Sequence, residues 1–309
     1  MLNKAIFAKM VRRYVNFKYL FLYLVAISVP LFFISGVAER LPFFNMTTLD
    51  FKAEYMLSIF LFISFVWICG AAIAMLSSVL CSFIAEEAGD RTLLISVSKP
   101  VSRTSLILSK FLGFIVVMLI YSVISLLVSV YLLVSLLSLD IFTFLHLLPL
   151  SLILIPYSLL ISIFFGSIAL LFSSMSSSRL KVIIPIIILL VLTFFAMIPA
   201  RSILRSSNMY KGVVEFIDVG YDMGNIYLSI LEGMNIRLIP FIQTGLGTVS
   251  GVYEIPKDGV KIDFDHNFIM ESLDKAKYHS KDESFLKILS FTFLSFLISL
   301  IWFNRRDVH

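Results

Sequence analysis

The sequence predicts an all-α polytopic membrane protein with six transmembrane helices, and three observations carry that prediction. Hydrophobic residues make up 59% of the 309-residue chain and charged residues only 15%, against roughly 45–50% and about 25% in soluble domains. Stretches free of Asp, Glu, Lys and Arg recur at the length needed to cross roughly 30 Å of hydrocarbon. The basic residues bounding those stretches gather at alternate ends. With Phe at 30 positions, too little polar surface remains for a soluble enzyme. The same high hydrophobicity excludes a disordered chain.

Residues 2–17 read as an amphipathic helix. Leu2, Ile6, Met10, Tyr14 and Phe17 share one stripe among lysines and arginines, which suits the headgroup layer and anionic lipid. Read as a plain basic flank, the periodicity fits equally well. Tyr19–Ala38 is apolar for longer than the 7–15 residues of a signal peptide and lacks an A-x-A-like site. It is expected to be a retained first span. Tyr55–Ala85 is the second and Phe111–Leu139 the third. Ile141–Ser178 contains His146, Pro149 and Pro156; the fourth span is placed at Leu147–Ser173, with too few residues before it for another crossing. Val182–Ala200 and Ile288–Asn304 complete the six. Ala74, Ser78 and Ser82, and again Ser125 and Ser129, repeat every fourth residue, and such small residues let helix backbones approach closely.

Orientation follows from the basic residues. Lys4, Lys9, Arg12, Arg13 and Lys18 precede the first span. Arg91, Lys99, Arg103 and Lys110 lie between the second and third, Arg179 and Lys181 between the fourth and fifth, and Arg305 and Arg306 near the end. The short loops opposite hold only Arg40 and Lys52. Both termini are therefore expected in the cytoplasm of a cell-membrane protein, and the net charge of +5 belongs to the membrane rather than to nucleic acid.

Segment 201–284 is then extracellular, with nine basic and twelve acidic residues. Val252–Ile255 and Val260–Phe264 alternate around Pro-Lys-Asp-Gly, a β-hairpin pattern. Glu271–Leu289 reads as helical, and Tyr227–Ile242 is apolar enough to touch or re-enter the membrane. A gating lid and a simple outer cap both fit this segment. The organisation is a transmembrane unit over 1–200 with a cytoplasmic segment 85–110, the extracellular segment 201–284, and the sixth span with its tail over 285–309.

No catalytic chemistry is legible. The spans carry no paired acids, and neither H-E-x-x-H nor a phosphate-binding G-x-x-x-x-G-K-[ST] occurs. Asp140 and His146 are expected in an outer loop. Cys69 and Cys81 would stand about 18 Å apart on a helix, too far for a disulfide. Any energy for transport must come from another chain.

The cytoplasmic segment holds the most specific pattern. Glu86, Glu87 and Asp90 suit a helix N-terminus. Thr92–Ser98 is expected to form a short amphipathic helix with Leu93, Leu94 and Val97 on one side, ended by Pro100. Such an element could plug into a groove on a soluble partner. The spacing Glu87–x4–Thr92–x7–Pro100-Val101-Ser102-Arg103–x6–Lys110, with Leu94 inside it, resembles the ABC-2 type permease subunits of ABC transporters, closest to the NosY-like branch. The amphipathic start, the six-span plan and the Phe303-x-Arg-Arg-Asp307 ending extend the resemblance. That family commonly has Gly directly before the Thr, where Arg91 stands here; Gly89 is out of register.

The resemblance implies a coupling helix, with Glu87, Thr92, Leu94, Pro100, Arg103 and Lys110 as the coupling residues. It also implies two ATP-binding subunits, which hold the ATP and Mg, and a second permease subunit in a homo- or heterodimer. The chain itself would be no enzyme and hold no cofactor, the expected direction is export, and Ser174–Lys181 would make a second cytoplasmic contact. Two further readings are a membrane scaffold or mechanical transmitter that answers an ATPase without moving a solute, and an ATP-independent polytopic protein.

Overall fold

The computed structural model describes residues 3–38, 49–92, 101–206, 217–236, 238–254, 262–263, 268–269 and 272–306. Helix α1 (Lys4–Tyr14) is followed by α2 (Phe17–Ala38). Helix α3 (Leu49–Ile63) runs through a π-helical segment (Ser64–Ala72) into α4 (Ile73–Cys81) and, after a break at Ser82, α5 (Phe83–Gly89). Then come α6 (Arg103–Leu136), α7 (Ile141–Ile153) and α8 (Ile155–Met175). Helix α9 (Arg179–Val191) passes a second π-helical segment (Leu192–Ala196) into α10 (Met197–Ser206). Helices α11 (Val219–Gly233), α12 (Pro240–Ser250) and α13 (Lys281–Arg305) complete the order.

Among the described residues, five helices are long and apolar enough to cross a membrane alone: Met56–Cys81, Arg103–Leu136, Ile155–Met175, Arg179–Arg201 and Lys281–Arg305. Helices α1 and α2, bent by 53° to each other, supply the sixth when counted as a pair. The bend is built by local chemistry. Val15 closes α1 through an N–H bond to the Val11 carbonyl, and the Asn16 side chain accepts from Tyr19 N at 3.1 Å at the start of α2. Side-chain capping of the first free N–H groups is the usual way a new helix starts. The amphipathic helix α1 is docked rather than simply afloat on lipid. Asn3 N donates to Ser109 Oγ at 2.8 Å at one end, and Tyr121 OH donates to the Tyr14 carbonyl at 2.8 Å at the other. A Cβ on Gly113 would stand 3.0 Å from Met10 Cβ, so glycine lets α1 lie close on α6.

Helix α8 is the centre of the bundle, packing most extensively against α13 and α4. A Cβ at Gly166 would meet the Phe114 ring at 2.5 Å and Cys81 Sγ at 3.2 Å, which is why no larger residue fits there. Ala74, Ser78, Ser82, Ser125 and Ser129 are all buried, as the spacing predicted. The four serine hydroxyls donate to carbonyls three or four residues back along the chain, so small size is what lets the backbones approach here. Outward faces stay apolar, as lipid requires: Phe17, Phe21 and Phe33 on α2, Ile184 and Ile188 on α9, and Phe293 and Trp302 on α13 are exposed.

The fourth span differs from expectation. Instead of one helix over Leu147–Ser173, the chain breaks at Leu154, and the crossing helix α8 starts with Pro156 in its first turn. Proline lacks an N–H and favours that position. His146 therefore sits exposed on the separate helix α7, not in a loop, and Asp140 lies just before its first turn.

The described residues of 218–280 fold onto the ends of the spans remote from Asn3 and Arg306. Asp218 caps α11 by accepting from Tyr221 N at 3.1 Å. It also takes Arg201 Nε and Nη2, each at 2.6 Å, while Arg201 Nη1 reaches the Val249 carbonyl at the end of α12. Asp222 is paired with Lys287 Nζ at 2.5 Å. Asn225 donates to the His279 carbonyl and Ser284 Oγ. Apolar Tyr227 does dip into the bundle: its hydroxyl donates to the Leu61 carbonyl at 2.7 Å, and its ring meets Phe65 and Tyr157 at 5.1 and 5.0 Å.

The hairpin expected over 252–264 is not formed by its expected partners. Val252 and Glu254 bond instead to the chain near 275: Ala276 N donates to the Val252 carbonyl and Glu254 N to the Asp274 carbonyl. The two-residue strands are Ile262–Asp263 and Phe268–Ile269, antiparallel to each other. Pairing near 275 lets Val252 and Ala276 bury against α11 and α12, which a free outer hairpin would not. Residues 272–280 are non-helical, so of the expected helix Glu271–Leu289 only the part from Lys281 onward is helical.

Candidate functional site

The end of the bundle that carries Asn3 and Arg306 holds the described residues of segment 85–110. The helix break at Ser82 (ψ 10°) starts this site. It leaves the N–H of Ala85 without a partner in its own helix, and Ser173 Oγ of α8 accepts it at 2.9 Å. The short helix α5 is thereby fixed to the end of α8, and it points Glu86 and Glu87 to opposite neighbours.

Glu86 faces α1 and α9. Arg13 Nη2 stands 2.7 Å from its Oε1 and Arg179 Nη1 3.6 Å from the same oxygen, while Tyr14 OH donates to Oε2 at 3.4 Å. Glu87 faces α6, where Lys110 Nζ lies 2.5 Å from its Oε2 with both side chains nearly buried. Lys110 also stands 5.1 Å from the Phe83 ring centre, close enough for a cation–π contact. Glu86 stands in the first turn of α5, as the sequence suggested. Glu87 lies past that turn and Asp90 caps the C-terminal end, and cations from three other elements face the two glutamates and the Phe83 ring.

Of the six expected coupling residues, Glu87 and Lys110 meet directly. Thr92 is exposed, its Oγ1 donating to the Glu87 carbonyl at 3.4 Å. Arg103 lies away from them. Its Nη1 donates to the carbonyls of Phe303, Asn304 and Arg306 at 3.3, 3.1 and 2.7 Å, acceptors at and just past the end of α13. Leu94 and Pro100 lie outside the described residues, as does the expected helix Thr92–Ser98 beyond Thr92 itself. Ser102 caps α6 by accepting from Ser105 N at 3.3 Å. Arg306 in turn donates to the carbonyls of Ser174 and Ser176 at 2.9 and 3.1 Å.

Segment 85–110 is thus wired to α1 through Glu86, to the 174–179 turn through Arg179 and Gly89, and to the last helix through Arg103. At Gly89 a Cβ would stand 2.9 Å from the Ser177 carbonyl oxygen, so the two loops touch. The roles of Arg13, Tyr14 and Arg179 were not legible, because partners more than seventy residues apart share no local pattern. The buried pairs Arg201–Asp218 and Asp222–Lys287, 17 and 65 residues apart, escaped as well, since neither spacing falls on one helix face. The one sequence signal for them was charge set in apolar surroundings.

Comparison with known proteins adds two findings. A family model described as ABC-2 family transporter protein matches residues 72–308. No curated protein matches the chain.

Proposed function

The chain belongs to the ABC-2 family of transporter proteins, the membrane-embedded permease subunits of ABC transporters, and from that premise we propose that it couples ATP hydrolysis by a separate subunit to export. In this reading two ATP-binding subunits dock on the end that carries both termini, which faces the cytoplasm. Two permease subunits meet within the membrane. ATP and Mg belong to the partner chain. Leu94 and Pro100 shape the docked element, and Thr92 marks its start.

The observation that carries the reading is the wiring of segment 85–110. Glu86 to Arg13 and Arg179, Glu87 to Lys110, and Arg103 to the end of α13 join the base of four spans and α1 to one loop. A displacement of that loop would be felt by all of them. The chain supplies no reacting group for such a step; its residues transmit position. Segment 218–280 is the proposed outer lid, seated by Tyr227 and the two buried ion pairs.

The test is co-expression with candidate ATP-binding subunits, extraction in mild detergent, and retention of the partner on the tagged chain. Leu94→Glu is expected to release it while the variant chain keeps its own melting temperature. Arg103→Ala is a weaker probe, because Arg103 also holds α13. A partner retained equally by Leu94→Glu would overturn the docking assignment. A complex that hydrolyses ATP but moves no solute in vesicles would support the transmitter reading instead.

A further inference from the structure

Between α1, α5 and α6 lies a cavity of about 70 Å³ whose charged lining is Lys9, Arg13, Glu87 and Lys110, with Met10 and Phe83 among its apolar walls. A single water needs roughly 10–15 Å³ on this measure, so there is room for a tetrahedral oxyanion. The charges around it do not balance. Glu87 is taken by Lys110, and Glu86 by Arg13 and Arg179. Among the described residues no carboxylate pairs with Lys9, so the cluster of Lys9, Arg13, Lys110 and Arg179 carries two more positive charges than its acids offset.

Placing like charges together in a half-enclosed, partly apolar site is unfavourable unless an anion joins them. The site also lies at one end of the spans, beside the start of α2. The 53° bend turns α1 away from the axis of α2, and the first turns of α2 put Phe17 and Phe21 outward toward lipid. Basic pockets between helices at that level take phosphate headgroups.

We propose that this cavity binds a phosphate group, carried by an anionic phospholipid of the same leaflet or by a soluble phosphate. Lys9 closes over it, and Arg13 and Lys110 form its base. Bound phosphate would hold α1 on α5 and α6 and so set the stiffness of segment 85–110. The binding claim stands whether or not an ATP-binding subunit docks there.

The experiment is native mass spectrometry of the full chain in detergent, offered equal amounts of phosphatidylglycerol and phosphatidylcholine. The chain is expected to retain phosphatidylglycerol several-fold over phosphatidylcholine. Lys9→Glu and Lys9→Gln should abolish that preference, and Lys4→Glu, on another face of α1, should keep it. Phosphatidylglycerol retention that millimolar inorganic phosphate does not displace assigns the site to lipid. Displacement, with phosphorus-resonance broadening of free phosphate that Lys9→Glu removes, assigns it to a soluble phosphate. The proposal fails if neither probe binds, or if Lys4→Glu and Lys9→Glu lower retention equally, since that would be surface attraction alone.

Discussion

Arg91 holds a backbone φ of 57°, a left-handed conformation that glycine adopts freely and an L-residue with a side chain does not. It follows Asp90, the C-cap of α5, the position where helices commonly finish on such a residue. The family pattern's glycine before the Thr, absent here, therefore has a physical meaning: the backbone needs that shape, and this chain reaches it with arginine. Arg91→Gly should stabilise the protein by about 0.5–1 kcal/mol, visible as a raised melting temperature in detergent. A lowered melting temperature would mean the arginine side chain contributes more than its backbone strain costs. At the opposite end, Asp222 and Lys287 are both nearly buried, at 0% and 9% side-chain exposure. Burial pushes the Asp222 carboxyl up and the facing Lys287 ammonium pulls it back. Removing one partner leaves a buried charge, so Lys287→Met should cost about 3–5 kcal/mol. The double variant with Asp222→Leu should recover most of that loss, because both charges then leave together. A loss in the double variant equal to the sum of the two single losses would show that the pair is not coupled.

Among the elements, α5 shows how a span end becomes a transmitting part. Its first turn depends on Ser173 accepting the Ala85 N–H, and an unmet buried donor costs about 1–3 kcal/mol. Ser173→Ala should therefore loosen α5 specifically. Amide hydrogen exchange across 83–89 should quicken while α13 stays protected; uniform quickening would point to global destabilisation instead. The long charge-bounded spans were legible because desolvation by lipid leaves a plain signal: charge-free length. Phe111–Leu139 and Ile288–Asn304 lie almost wholly within α6 and α13, which run on past them at the terminus-bearing end to Arg103 and Arg305. The break at Leu154 was not legible, although Pro149 and Pro156 were in view. Pro149 is tolerated inside α7, and only Pro156 starts a helix; composition alone does not separate those two uses. The hairpin failed for a related reason. Alternation around 252–264 marks residues able to pair, and tertiary burial of Val252 and Ala276 decided with what.

For the whole molecule, the contacts themselves give the alternation of the spans. Asn3 meets Ser109, Glu86 meets Arg179, and Arg103 meets the end of α13, so the start of α1, the end of α5, the starts of α6 and α9 and the end of α13 share one end of the bundle. Arg201 with Asp218 and Asp222 with Lys287 close the other. Five of the expected spans, and a sixth when α1 and α2 are counted together, were readable from composition because lipid is a simple solvent. The ion-pair wiring at each end was not, because it joins residues that only the fold brings together. The central claim is that an ATP-binding subunit docks on the terminus-bearing end at segment 85–110. Its most direct test is a photo-reactive side chain placed at position 92 and, separately, at exposed Met234 on the opposite end, in the complex co-expressed with its ATP-binding partner. The account predicts a cross-link to the partner from position 92 and none from position 234; a cross-link from 234 alone, or equal yields from both, would contradict it.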